Sequence, residues 1–255
     1  MRAALAGVAA LTLGLAGCGG DDAPAGTAGG GRVTVFAAAS LTETFTRLGR
    51  DFEAAHPGTR VTFNFAGSSA LATQISQGAP ADVFAAASPA TMKTVTGAGE
   101  AAASPVTLAR NQLVIAVPRG NPRQIAGLPD LTRPGAKVAL CAEQVPCGAA
   151  ARTALDAAGV RLTPATLEQD VKGALAKVKL GEVDAALVYR TDARAAASDV
   201  DAIEFAESDR AINDYPIVVL KRAGDPATAR AFVDHVRSDA GRAVLTAAGF
   251  QPPQA

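Results

Sequence analysis

Val33-Thr34-Val35-Phe36-Ala37-Ala38-Ala39-Ser40-Leu41, carried on by a helical pattern to Ala55 and stopped at His56-Pro57-Gly58, is the stretch that decides the fold. Its first half is β-branched, aromatic and mostly apolar, as in a strand covered on both faces. From Leu41 the period changes. Leu41, Phe45, Leu48 and Phe52 recur at spacings of four, three and four, which places them on one helix face. Pro57 and Gly58 then end the helix. The same alternation continues outward. Short strands are expected at Arg60–Phe65, Asp82–Ala87, Leu113–Val117, Lys137–Leu140, Ala185–Tyr189 and Pro216–Leu220, with helical patterns between them. The expectation is an α/β fold whose mostly parallel sheets carry helices on both faces.

Two lobes fit this pattern better than one. The Pro- and Gly-rich stretch Pro118–Gly135 interrupts the alternation near a lobe boundary, and the strand near Pro216 with its following helices is expected to return to the first lobe. The expected bounds are 32–107 with 215–255 for lobe I and 108–214 for lobe II. No internal sequence repeat is evident.

The N-terminus speaks to compartment. Arg2 precedes an apolar run, Ala3–Leu15, too short to span a membrane, and Leu15-Ala16-Gly17-Cys18 resembles a bacterial lipobox. Residues 1–17 are therefore expected to be a signal peptide, Cys18 a lipidated anchor and residues 18–31 a Gly-, Ala- and Asp-rich tether. The alternative is an ordinary secretory signal, and either way the chain leaves the cytoplasm. In an oxidising compartment Cys141 and Cys147 can form a disulfide worth about 2 kcal/mol, or remain as two thiols. A formal net charge of zero and 4% aromatic residues argue against a nucleic-acid binder. With only two histidines, a zinc site lacks ligands, and no metal-cation site is expected.

Four places set small or hydroxyl residues just before a helix: Ala37–Glu43, Phe65–Leu71, Val145–Gly148 and Gln169–Lys172. Each has an ordinary explanation. Ser40 with Glu43 reads as a capping box, Asp170 as an N-cap, and Lys172, Lys177 and Lys179 as a solvated face. The alternative is that these helix starts converge, since unpaired N–H groups and a partial positive charge make an anion site. Spacing alone leaves both readings open.

The run Val33–Leu41, with Gly78-Ala79-Pro80-Ala81-Asp82-Val83-Phe84, Val145-Pro146-Cys147-Gly148, Asp170-Val171-Lys172-Gly173-Ala174-Leu175 and Leu187-Val188-Tyr189, resembles the molybdate-binding proteins of ABC transporters. The resemblance covers about Arg32 to Phe250. It implies a two-lobed periplasmic-binding-protein fold of type II, with the ligand cleft between the lobes. It also implies hydroxyl and backbone donors from Ser40 and Ser68, backbone N–H groups from Cys147 and Val171, and the phenolic hydroxyl of Tyr189. Gly67 stands where serine is frequent, which makes Ser68 the expected direct donor. Cys147 stands where alanine is common, a change that a backbone donor tolerates. The implied ligand is molybdate or tungstate with no cofactor. The implied partners are a membrane permease and its ATPase, met by a monomer that touches the membrane only through its anchor.

A fully deprotonated dianion has acceptors and no donors, so a cradle of neutral N–H and O–H groups suits it. Sulfate on the same fold is the main alternative, separated by size. Phosphate keeps a proton and calls for an acceptor carboxylate. Ferric iron calls for paired tyrosines, and Tyr189 and Tyr215 lie far apart in sequence. No Gly-x-Ser-x-Gly elbow, phosphate-binding loop or zinc-helix motif occurs, so enzymatic activity is not expected.

Overall fold

The computed structural model describes residues 30–254. The proposed signal peptide, the lipobox at Cys18 and most of the tether lie outside the described residues. Among the described residues, ten strands and eight α-helices follow in chain order. The first lobe opens with β1 (Arg32–Ala38), α1 (Thr42–Ala55), β2 (Arg60–Ala66), α2 (Ser68–Ser76), β3 (Val83–Ala85), α3 (Pro89–Gly97) and β4 (Val106–Asn111). The second lobe holds β5 (Leu113–Pro118), β6 (Val138–Cys141), α4 (Pro146–Ala157), β7 (Thr166–Glu168), α5 (Val171–Lys179), β8 (Ala185–Tyr189), α6 (Arg190–Ala195) and β9 (Val200–Ile203). The chain then returns to the first lobe through β10 (Asn213–Val219), α7 (Pro226–Arg237) and α8 (Asp239–Ala248).

The two sheets have the same topology, β2-β1-β3-β10-β4 and β7-β6-β8-β5-β9. β1 pairs in parallel with β2 and β3, whereas β10 pairs antiparallel with β3 and β4. β6 likewise pairs in parallel with β7 and β8, whereas β5 pairs antiparallel with β8 and β9. In each sheet four strands share a direction and one is reversed, so "mostly parallel" holds for direction, while the hydrogen-bonded pairing is mixed. The internal repeat is one of topology and leaves no trace in sequence.

The helix face expected from the Phe45/Leu48/Phe52 spacing is buried. Phe45 and Phe52 pack edge-on against Phe232 of α7, with centroids 6.2 and 5.5 Å apart, tying the returning helices to the first lobe. Edge strands β4, β7 and β9 were not read from sequence. Their burial is partial or alternating, and their polar residues mask the strand signal. As a consequence the expected lobe boundaries at 107/108 and 214/215 fall inside β4 and β10. Sheet pairing puts the crossings at Gln112 and between Ile203 and Asn213. The crossings are bound to each other, since the buried Gln112 side chain donates to Ser208 Oγ at 2.9 Å. Asn111 donates to Thr191 Oγ1 at 2.8 Å, a second buried polar contact beside the crossings.

Candidate functional site

Both 2-1-3-type strand orders have a switch point at which neighbouring connections leave to opposite sides, and ligands bind there at the carboxyl ends of strands. Ser40 follows β1, Ser68 follows β2, Cys147 follows β6, Val171 follows β7 and Tyr189 ends β8. All five are buried. All five line one cavity between the lobes, with Ala38, Ala39, Gly67 and Ala87 from the first lobe and Val145, Pro146 and Asp170 from the second. Its volume is about 20 Å³, far below the range usual for organic ligands. A larger open groove on the outer face of the second lobe, beside Arg152, Arg161 and Leu167, contains none of the five.

The way the helices are capped separates this site from the rest of the molecule. Helices that start elsewhere satisfy their own ends: Ser88 caps α3, Asp225 caps α7 and Ser238 caps α8 through their side chains. The 3-10 turn ahead of α1, and α2 and α4, which start at the cavity, have no side-chain cap. At α5 the Asp170 carboxylate accepts from Gly173 N at 3.0 Å, which leaves the first-turn N–H of Val171 free of it. Pro146 opens α4 without an N–H of its own, so Cys147 carries that helix's first donor. First-turn N–H groups have no intrahelical acceptor, and here they line the space between the lobes.

The expected capping box at Ser40 does not form. Ser40 sits in a single 3-10 turn, Ala39–Leu41, and its hydroxyl pairs with Tyr215 Oη at 2.9 Å, while Glu43 turns away to Lys172 at 2.7 Å. Ser68 Oγ accepts from Ala87 N at 3.0 Å. That arrangement leaves the Ser68 proton free to donate. If Ser40 donates to a bound anion, Tyr215 must be the donor in the Ser40 pair. Tyr215 was missed as part of the site because sequence separation hid it; its ring meets that of Tyr189 edge-on at 5.8 Å. The sequence signal was only that the chain has two tyrosines.

The Tyr189 hydroxyl is buried and has no hydrogen-bond partner. Burial pushes its phenol well above the ordinary value, so it stays protonated and a donor. No lysine or arginine lines the cavity, and its single carboxylate, that of Asp170, already serves as a helix cap. The arrangement therefore offers donors and a positive dipole field, which suits an acceptor-only ion. Among the described residues, no three His, Cys, Asp or Glu side chains group to hold a metal cation.

Cys141 and Cys147 are joined by a disulfide, with Cα atoms 5.7 Å apart. The bridge ties the end of β6 to the start of α4 and so fixes the loop that presents Cys147 N. Across the cleft, Ser69 Oγ donates to Gln144 O at 2.6 Å, so this serine joins the lobes and does not line the cavity.

Asp192 lies behind the site, fully buried, with its carboxyl pushed up to about 6 by desolvation, an effect that Lys172 at 2.9 Å only partly offsets. The folded-state value lies above the ordinary one of 3.8. Folding thus favours the protonated form of this carboxyl: that contribution is present below about pH 4 and lost as pH rises through 6. Asp192→Asn is expected to raise the thermal midpoint at pH 7.5, with the difference vanishing near pH 4. A lower midpoint at pH 7.5 would show that the Lys172 pair outweighs the desolvation.

The chain is similar to known proteins over nearly all of its described length. Residues 33–251 match the family described as bacterial extracellular solute-binding protein. The chain is 47% identical over 249 residues to the molybdate-binding protein ModA of Mycobacterium tuberculosis H37Rv, covering 96% of this chain and 95% of that protein. A periplasmic molybdate-binding protein from Azotobacter vinelandii superposes with a TM-score of 0.76 at 23% identity, over 87% of this chain and all of that one. The sulfate-binding protein SubI of M. tuberculosis superposes with a TM-score of 0.71 at 18% identity, over 87% of each chain. The fold is thus common to binders of different oxyanions, and the choice among them rests on the site.

Proposed function

Because this chain belongs to the bacterial extracellular solute-binding proteins, and among them to the family of ModA molybdate-binding proteins, we propose that it captures molybdate between its two lobes for an ABC-type uptake transporter. It is a binding protein and not an enzyme. The observation that carries the reading is the set of neutral donors from both lobes around one small cavity, with the unpartnered Tyr189 hydroxyl among them. Ser40, Ser68, Cys147, Val171 and Tyr189 are the proposed ligands. Burying a dianion without such partners would be prohibitive. With them, the bound ion bridges the lobes and favours the closed form.

Tungstate matches molybdate in charge and nearly in size, and is proposed to bind as well. Sulfate has the right charge but is smaller, and a cradle closed by backbone contacts does not shrink to follow it. The proposed partners are a membrane permease and its cytoplasmic ATPase, which would read the closed shape. Lipidation at Cys18 would hold the binder beside the permease and raise its local concentration.

Thermal unfolding in the presence of single oxyanions tests this reading. At a hundredfold excess over Kd, stabilisation of about 2.7 kcal/mol is expected. Molybdate and tungstate should raise the midpoint strongly, sulfate and phosphate much less. Equal shifts from sulfate and molybdate would refute the size argument.

A further inference from the structure

We propose that Lys172 is a latch between the lobes that sets how long the ligand stays bound, a role that rests on the closure described above. Lys172 was expected to be part of a solvated face, yet only 25% of its side chain is exposed. It stands next to Val171 in the first turn of α5, on the second lobe. Its ammonium donates at 2.7 and 2.8 Å to both carboxylate oxygens of Glu43 on α1, in the first lobe. On its own lobe it meets Asp192 Oδ1 at 2.9 Å.

The two partners do different work. Asp192 is buried and belongs to the same lobe, so its 2.9 Å contact with the ammonium does not depend on the lobes meeting. Glu43 is half exposed and belongs to the other lobe, so its contact exists only when the lobes meet. A pre-positioned donor loses less side-chain freedom on pairing than a free lysine does. The pair also sits one residue from the Val171 N–H that lines the cavity, so closing the latch and engaging the ligand from α5 are one movement. Lys172 is therefore a positioning residue that acts on the ligand through the position of α5. A contact present only in the closed form lowers the escape rate and leaves the encounter rate alone.

Glu43→Gln and Glu43→Ala are the variants to test, since Glu43 is half exposed and contributes nothing to either core. Molybdate binding by titration calorimetry and stopped-flow release, with a Lys172→Met and Glu43→Gln double-mutant cycle, gives the readout. The expected result is molybdate affinity weaker by about three- to fivefold in the Glu43 variants, carried by faster release. The double variant should bind no more weakly than Lys172→Met alone, because both substitutions remove the same contact. Small-angle scattering of the ligand-free Glu43 variants should show a more open average shape. Wild-type affinity and release rate in both Glu43 variants, or losses that multiply in the double variant, would overturn the latch. If the wild type itself fails to bind molybdate, the proposed function is at fault, and the scattering comparison still decides the latch.

Discussion

Tyr189→Phe is expected to weaken molybdate binding by roughly tenfold to a hundredfold while leaving the stability of the ligand-free protein close to that of the wild type. The two effects have one cause. The Tyr189 hydroxyl is buried and bonds to no other protein group, so removing it strands no partner within the chain. The ring remains to pack against Tyr215. When an anion is present the same hydroxyl is a donor to a charged acceptor, worth about 1.5–3 kcal/mol. Calorimetric titration and ligand-free melting of the variant measure both quantities. Loss of affinity accompanied by a matching loss of ligand-free stability would make Tyr189 a packing residue and remove it from the ligand set.

The second large effect is expected at Gly67→Val. The backbone of Gly67 lies in an ordinary region, with φ −56° and ψ 129°, so a side chain costs nothing within its own lobe. Across the cleft it does. A Cβ at this position would stand 2.3 Å from the carbonyl oxygen of Gln169 and 3.5 Å from Cβ of Asp170. The closed form has no room for it, and a forced contact of this kind costs about 1–3 kcal/mol. That cost falls on the closed state alone, so affinity should drop by about tenfold or more, with ligand-free stability unchanged or slightly raised by the loss of glycine's freedom in the unfolded chain. Unaltered affinity would show that the lobes do not approach here when ligand is bound. The contact also gives a reason for glycine where the resemblance leads one to expect serine.

These two residues illustrate what was legible from sequence and what was not. The α1 face and the first strand could be read because burial imposes a period, and Phe45, Leu48 and Phe52 follow it. The edge strands β4, β7 and β9 could not, because partly solvated edges relax the apolar requirement that makes a strand visible. At the site, each of the four helix starts was visible, but periodicity says nothing of where they point. The resemblance supplied the convergence that spacing lacked. Ser40 shows the limit of local reading: Glu43 three residues on invited a capping box, yet the serine pairs with Tyr215, 175 residues away, and the glutamate with Lys172 of the other lobe. Long-range polar partners leave no periodic signature. A signal that was available is the contrast in caps: Ser88, Asp225 and Ser238 stand ahead of helices away from the cleft, while Gly67 and Val145 stand ahead of helices that face it.

The central claim is that one oxyanion is held by uncharged donors drawn from both lobes. Its most direct test is a crystal structure grown with molybdate, using the anomalous scattering of molybdenum to locate the ion. The account requires a single peak in the cavity, with oxygens in hydrogen-bond reach of the Ser40, Ser68 and Tyr189 hydroxyls and of the Cys147 and Val171 N–H groups. A peak elsewhere on the chain, or an ion in the cavity whose neighbours include a lysine, an arginine or a carboxylate in place of those donors, would contradict it.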